Sequence, residues 1–190
     1  MKSCLIVIDV QRSFRHRPYF TERDLAPYLT AQNALIQGCV AAGVPIVRVL
    51  HVDGPEEARN PFARASGHVR PLDGLADFEA AAHFVKHRHS ALVGTGLDVW
   101  LTQQGIRRLI VSGIRTEQCC ETTTRHAWDS GWEVDFVLDA TLTFDMVQPD
   151  GRALPASDIK ARTATVLEGR FAHVCSVDEA LERAGAAVAA

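Results

Sequence analysis

Three side chains in this sequence have the types and settings of a self-contained nucleophile: Asp9 at the end of "LIVID", Lys86 in "HFVKHRHS" and Cys119 in "GIRTEQCCETT". A carboxylate beside a thiol takes its proton, an ammonium offsets the charge of the pair, and the thiolate attacks an electrophilic carbon. Asp9 follows Ile6, Val7 and Ile8, and a carboxylate closing so apolar a run is costly to bury unless paired or hydrogen-bonded. Lys86 is one of only three lysines, and its flanks Phe84 and Val85 place it at a strand end, where a compact ammonium can pair with a carboxylate. If the preceding strand ends at Gly113 and Thr116 caps the next helix, Cys119 falls at the third helical position. There, free backbone N–H groups and the positive end of the helix dipole favour a thiolate and can receive a developing oxyanion.

Taken singly, each residue also has an ordinary reading. Asp9 then caps the following turn, Lys86 is a solvated surface lysine, and both Cys119 and Cys120 are small buried hydrophobes. For Cys120 that reading is adopted, because one further residue turns the side chain by about a quarter of the helix circumference, toward the core.

The elements that must position these residues alternate along the chain. "CLIVIDV" (4–10), "PIVRVL" (45–50), "RLIVSG" (108–113), "EVDFVL" (133–138) and "AHVCS" (172–176) read as short buried strands, with "HFVKHR" (83–88) a weaker sixth. Leu25, Leu29, Ile36 and Cys39 recur at helical spacing until Gly43; 95–105 and 117–130 read as two more helices. Thr95 is the expected N-cap of the first of these, with Asp98 completing its box, and Ser176 with Glu179 has the spacing of a capping box for a last helix. Such alternation predicts a three-layer α/β/α sandwich around a six-stranded, mostly parallel sheet, in one domain over 1–190. Residues 51–82 and 143–156, rich in proline and glycine, read as long loops that wall a pocket. The C-terminal "AGAAVAA" reads as a frayed end.

Composition narrows the function. With 20 Lys and Arg against 23 Asp and Glu, the formal net charge is -3, and no basic cluster marks a nucleic-acid partner. No run approaches the roughly 18 apolar residues of a membrane span, and the N-terminus lacks the h-region and cleavage site of a signal peptide. Five cysteines, odd in number and mostly within apolar runs, fit free thiols in a reducing compartment; a cytoplasmic protein is expected.

In order and spacing, "LIVIDVQRSF", "KHRHSALVGTGLDVWLTQQGIRRLIVSGIRTEQCCETTTRHAWDSGW", "VLDATLTF" and "EGRFAHVCSVDEAL" resemble the isochorismatase-like cysteine hydrolases, which include nicotinamidases, N-carbamoylsarcosine amidase, biuret hydrolases and ureidoacrylate amidases. The resemblance implies that Asp9 is the general base, Lys86 its charged partner and Cys119 the nucleophile. It also implies a cis peptide joining Ile114 to Arg115, oxyanion contacts from the Arg115 and Cys119 N–H groups, and Gln11 and Phe14 as pocket residues, Phe14 being equally well placed for plain core packing. His89 and Leu92 stand where relatives often carry aromatics, and Cys120 where valine is usual. A homo-oligomer is the family default.

Because isochorismatases that cleave a vinyl ether typically lack this cysteine, Cys119 points to hydrolysis of a C–N bond in a small amide, carbamoyl or ureido compound, with no cofactor. Metal-dependent nicotinamidases carry an Asp/His cluster after the second strand, but "HVD" reverses their order, so His51, Asp53 and His68 are not expected to bind a metal. The alternatives are a vinyl-ether hydrolase, a thiol redox protein using Cys119 and Cys120, and a non-catalytic binding module.

Overall fold

The computed structural model describes residues 1–185. Its centre is β1 (Ser3–Ile8), buried along its whole length. Leu5 and Val7 enter one apolar cluster while Cys4, Ile6 and Ile8 enter another, so this strand is clothed on both faces. Around it runs a six-stranded sheet in the order β3-β2-β1-β4-β5-β8, with every pairing parallel. The other strands are β2 (Ile46–His51), β3 (Ala82–Lys86), β4 (Arg108–Ile114), β5 (Glu133–Leu142) and β8 (His173–Cys175); a two-residue hairpin, β6 (Met146–Val147) and β7 (Ala153–Leu154), stands apart. Helices α1 (Leu25–Ala41) and α5 (Val177–Ala184) pack on each other over one face. On the other lie α2 (Leu97–Gln103), α3 (Glu121–Asp129) and α4 (Ala156–Leu167), the last packed on α3.

Several local readings are corrected. Strand β1 stops at Ile8 because Asp9 turns to a positive φ of 55°. Strand β5 runs on to Leu142, with a register shift opposite Val111 and Gly113. The N-cap of α2 is Gly96, in left-handed backbone at φ 78°; Thr95 sits one residue earlier, its hydroxyl donating to the Ala91 carbonyl and accepting from the Leu97 N–H. The loop 143–156 contains the β6–β7 hairpin, and α4, unassigned by the sequence pattern, follows Pro155. The capping box at Ser176 and Glu179 is formed. No helix among the described residues is long and apolar enough to cross a membrane. Most of the expected frayed tail, 186–190, lies outside the described residues.

Chain order reverses direction in the sheet at β1, between β2 and β4, which makes the carboxyl ends of these strands the natural place for a ligand.

Candidate active site

The carboxyl ends of four adjacent strands converge. Asp9 leaves β1 with its N–H donating to the Val49 carbonyl at 2.9 Å. Lys86 closes β3 and is the register partner of His51, which closes β2, so the two side chains emerge together. Ile8 pairs with Gly113 on β4, where a side chain is excluded: a Cβ there would lie 1.9 Å from the Ile8 carbonyl oxygen, and φ is 133°. That close approach brings the turn after β4 over Asp9.

The turn differs from the expected cap. Residues Thr116–Cys120 form a π-type turn before α3, and the Gln118 and Cys120 N–H groups both donate to the Arg115 carbonyl. Arg115 is therefore the flanking residue, and Thr116 spends its hydroxyl on Thr141 Oγ1 at 2.9 Å instead of capping. Cys119 falls one position later than the sequence reading placed it but still within the first turn. Cys120 is fully buried and packs in the core.

Asp9 and Lys86 are wholly buried and Cys119 nearly so. Lys86 Nζ lies 2.8 Å from Asp9 Oδ2, 3.2 Å from Cys119 Sγ, 3.1 Å from the Arg88 carbonyl oxygen and 2.6 Å from His51 Nδ1. Burial works against the Lys86 charge, but Asp9 and Cys119 outweigh it, so the ammonium is held above its ordinary pKa. Burial first and the Asp9 charge second push the Cys119 thiol well up, with Lys86 pulling the other way. At rest the group is a thiol, and its chemistry begins with a proton transfer. Asp9, His51 and Cys119 present metal-type ligand atoms all within 4.8 Å of one another. Lys86 Nζ touches all three, so the cation at the middle of this cluster is the protein's own.

Around the cluster the other named residues divide. The Ile114–Arg115 peptide is cis. The Arg115 guanidinium is packed inward, 4.9 Å from the Tyr19 ring centroid, and ion-paired to Glu117 at 3.0 Å. Gln11 is fully buried and braces the end of β2: its Nε2 donates to the His51 carbonyl at 3.0 Å and to Ser13 Oγ at 2.8 Å, and its Oε1 accepts from the His51 N–H at 2.7 Å. Phe14 lies in the core, edge-on to Phe62 at 5.1 Å. His89 is exposed at its outer edge with Nδ1 3.7 Å from Cys119 Sγ, and partial burial of its ring, then the nearby Lys86 charge, push its pKa down. His68 stacks on His16 away from the cluster, and Asp53 is exposed. His51 is the member the sequence reading missed. It closes an apolar strand just as Asp9 does, and that parallel was the available signal.

A cavity of about 620 Å³ lies elsewhere, lined among others by Tyr28, Thr143, Ser157 and Lys160, and includes none of the clustered residues. The reactive groups are therefore picked out by their convergence, apart from this cavity.

The isochorismatase domain family matches residues 3–178. An isochorismatase family protein of Bacillus subtilis (strain 168), YddQ, is 27% identical over 187 residues, covering 96% of this chain and 100% of that one. Nicotinamidase 3 of Arabidopsis thaliana is 29% identical over 154 residues, 75% of this chain and 74% of its own. Among solved structures, a candidate isochorismatase from Burkholderia xenovorans LB400 superposes with a TM-score of 0.86 at 31% identity, covering 99% of this chain and 90% of that one. The match over nearly the whole chain, on a sheet that carries its reactive groups at the expected edge, makes this protein a member of the isochorismatase family of hydrolases.

Proposed function

We propose that the protein is a cysteine hydrolase that cleaves a C–N bond in a small amide, carbamoyl or ureido compound. The observation that carries the reading is the placement of one buried ammonium within 2.8 Å of a carboxylate and 3.2 Å of a thiol sulfur. Similarity to a nicotinamidase supports the same reaction class.

In this mechanism Asp9 takes the proton from Cys119 Sγ, and Lys86 neutralises the thiolate as it forms. Sγ attacks the carbonyl carbon, and the backbone N–H groups of Arg115 and Cys119 receive the oxyanion. The Arg115 N–H has no backbone acceptor among the described residues and is free for this task. Asp9 then passes its proton to the leaving nitrogen, the C–N bond breaks, and ammonia or an amine departs from a thioester. Water attacks the thioester carbon, giving its proton to Asp9, and the C–S bond breaks as that proton returns to Sγ.

The test is an ammonia-release screen over primary amides, N-carbamoyl amino acids, ureidoacrylate and biuret, with Cys119→Ser as the blank. At least one compound should turn over with wild type, with kcat about ten-thousandfold lower in the blank. Turnover that survives in Cys119→Ser overturns the reading.

A further inference from the structure

The Asp9, Lys86 and Cys119 arrangement does not by itself explain the imidazole packed against it. His51 Nδ1 lies 2.6 Å from Lys86 Nζ and 3.7 Å from Asp9 Oδ2, and its side chain is 9% exposed. The backbone of His51 is gripped from both sides by the Gln11 amide, and Phe62 meets its ring edge-on at 5.8 Å.

We infer that His51 is a positioning residue whose Nδ1 accepts a hydrogen bond from the Lys86 ammonium and thereby holds that ammonium between Asp9 and Cys119. An ammonium has three N–H donors and no acceptor, so a nitrogen in contact with it must present a lone pair. His51 therefore carries its proton on Nε2. Lys86 has four neighbours for its three donors: Asp9 Oδ2, the Arg88 carbonyl, His51 Nδ1 and Cys119 Sγ. Sulfur is the weakest acceptor of the four, and the His51 bond, opposing the pull of the Arg88 carbonyl, keeps one edge of the ammonium on the sulfur. Without the imidazole lone pair, nothing on the His51 side holds the ammonium against the Asp9 and Arg88 oxygens, so it shifts toward them and away from the sulfur, and the thiolate loses part of its counter-charge.

The ionisable groups facing His51 are Asp9 after β1, Lys86 on β3, His89 beyond β3 at 6.2 Å between rings, and Cys119 from the turn before α3. The inference rests on the reading of Cys119 as the nucleophile. It needs no substrate to test, because the thiol reports directly on its counter-charge.

The experiment follows iodoacetamide alkylation of Cys119 against pH, resolved from the other four thiols by peptide mass, in wild type, His51→Gln and His51→Phe. Glutamine restores an acceptor and should follow wild type within about threefold; phenylalanine keeps the ring without the nitrogen and should slow alkylation about tenfold at neutral pH, the worth of one charge-assisted hydrogen bond. Its profile should also move to higher pH. If His51→Phe fails to fold, His51→Leu carries the same expectation. A nitrogen-free variant that follows wild type overturns the inference, as does a glutamine variant that slows as much as phenylalanine. If Cys119 is not the fastest of the five thiols in wild type, the proposed function itself falls; if it is, and the variants leave it unchanged, only the role of His51 falls.

Discussion

Two aspartates of this sheet are fully buried, and they are managed in opposite ways. Asp9 sits just past the carboxyl end of β1, in left-handed backbone, with a wholly buried ammonium and a thiol for company. Asp135 lies within β5, joined to Arg183 at 2.9 Å, whose side chain is 37% exposed, and to the more buried Arg108 at 3.7 Å. A guanidinium keeps its charge under all conditions and forms a fixed fork, so it secures a carboxylate in place. An ammonium shared with a thiol leaves the carboxylate a proton donor within reach. One carboxylate ties α5 to the sheet, and the other moves a proton in the proposed mechanism.

The contrast is broken most directly at Asp9. Asp9→Asn should lower kcat about a thousandfold or more, by removing the carboxylate that takes the Sγ proton in the proposed mechanism, as read by ammonia release on the compound found in the screen. Asp135→Asn should leave kcat within about twofold and change stability by less than about 1 kcal/mol near neutral pH, because burial disfavours the charge it removes while the two arginines favour it, as read by a urea midpoint. An Asp135 variant with impaired turnover at unchanged stability would erase the distinction.

The pH dependence sharpens it further. Burial raises the Asp135 pKa against the opposing pull of Arg183 and Arg108. A carboxyl raised in the folded state contributes stability that is present at low pH and lost as the pH rises, a dependence that wild type should show and Asp135→Asn should lack, as read by urea midpoints against pH. Asp145 has the reverse sign. Its bonds to Arg23 and then to the Ala156 N–H lower it to about 2. Its small contribution should hold at neutral pH and fade as the pH falls toward that value, so acid-unfolding curves of wild type and Asp145→Asn should converge there. The smallest effect is expected at Cys120→Val, which fills the same core site and should change kcat by less than about twofold.

Much of this was legible in the sequence for a simple reason. Buried parallel strands are apolar on both faces, so β1, β2 and β4 announced themselves, and polar residues closing such runs marked the site edge. What stayed hidden depends on partners distant in sequence. The inner face of α4 is Ala156, Ile159, Thr163 and Leu167, and the buried Thr163, which donates to Glu121, dilutes the hydrophobic period. The bracing bonds of Gln11 were out of sight because its partner, the His51 backbone, is forty residues away. His51 was weighed only as a metal ligand, and its actual neighbour, Lys86, is set by strand order. The Thr116 cap failed because a hydroxyl on β5 competes for it.

The placement of the three lysines has a practical consequence for handling the protein. Lys86 is sealed in the site, and Lys160 is half-buried with its ammonium on the Thr141 carbonyl, its pKa lowered by burial. The exposed Lys2, bonded to the Gln104 carbonyl, stands at the amino end of β1, at the opposite end of that strand from Asp9. Amine-reactive surfaces and labels should therefore capture the molecule mainly by that end, and an immobilised layer would present its reactive face to the solution.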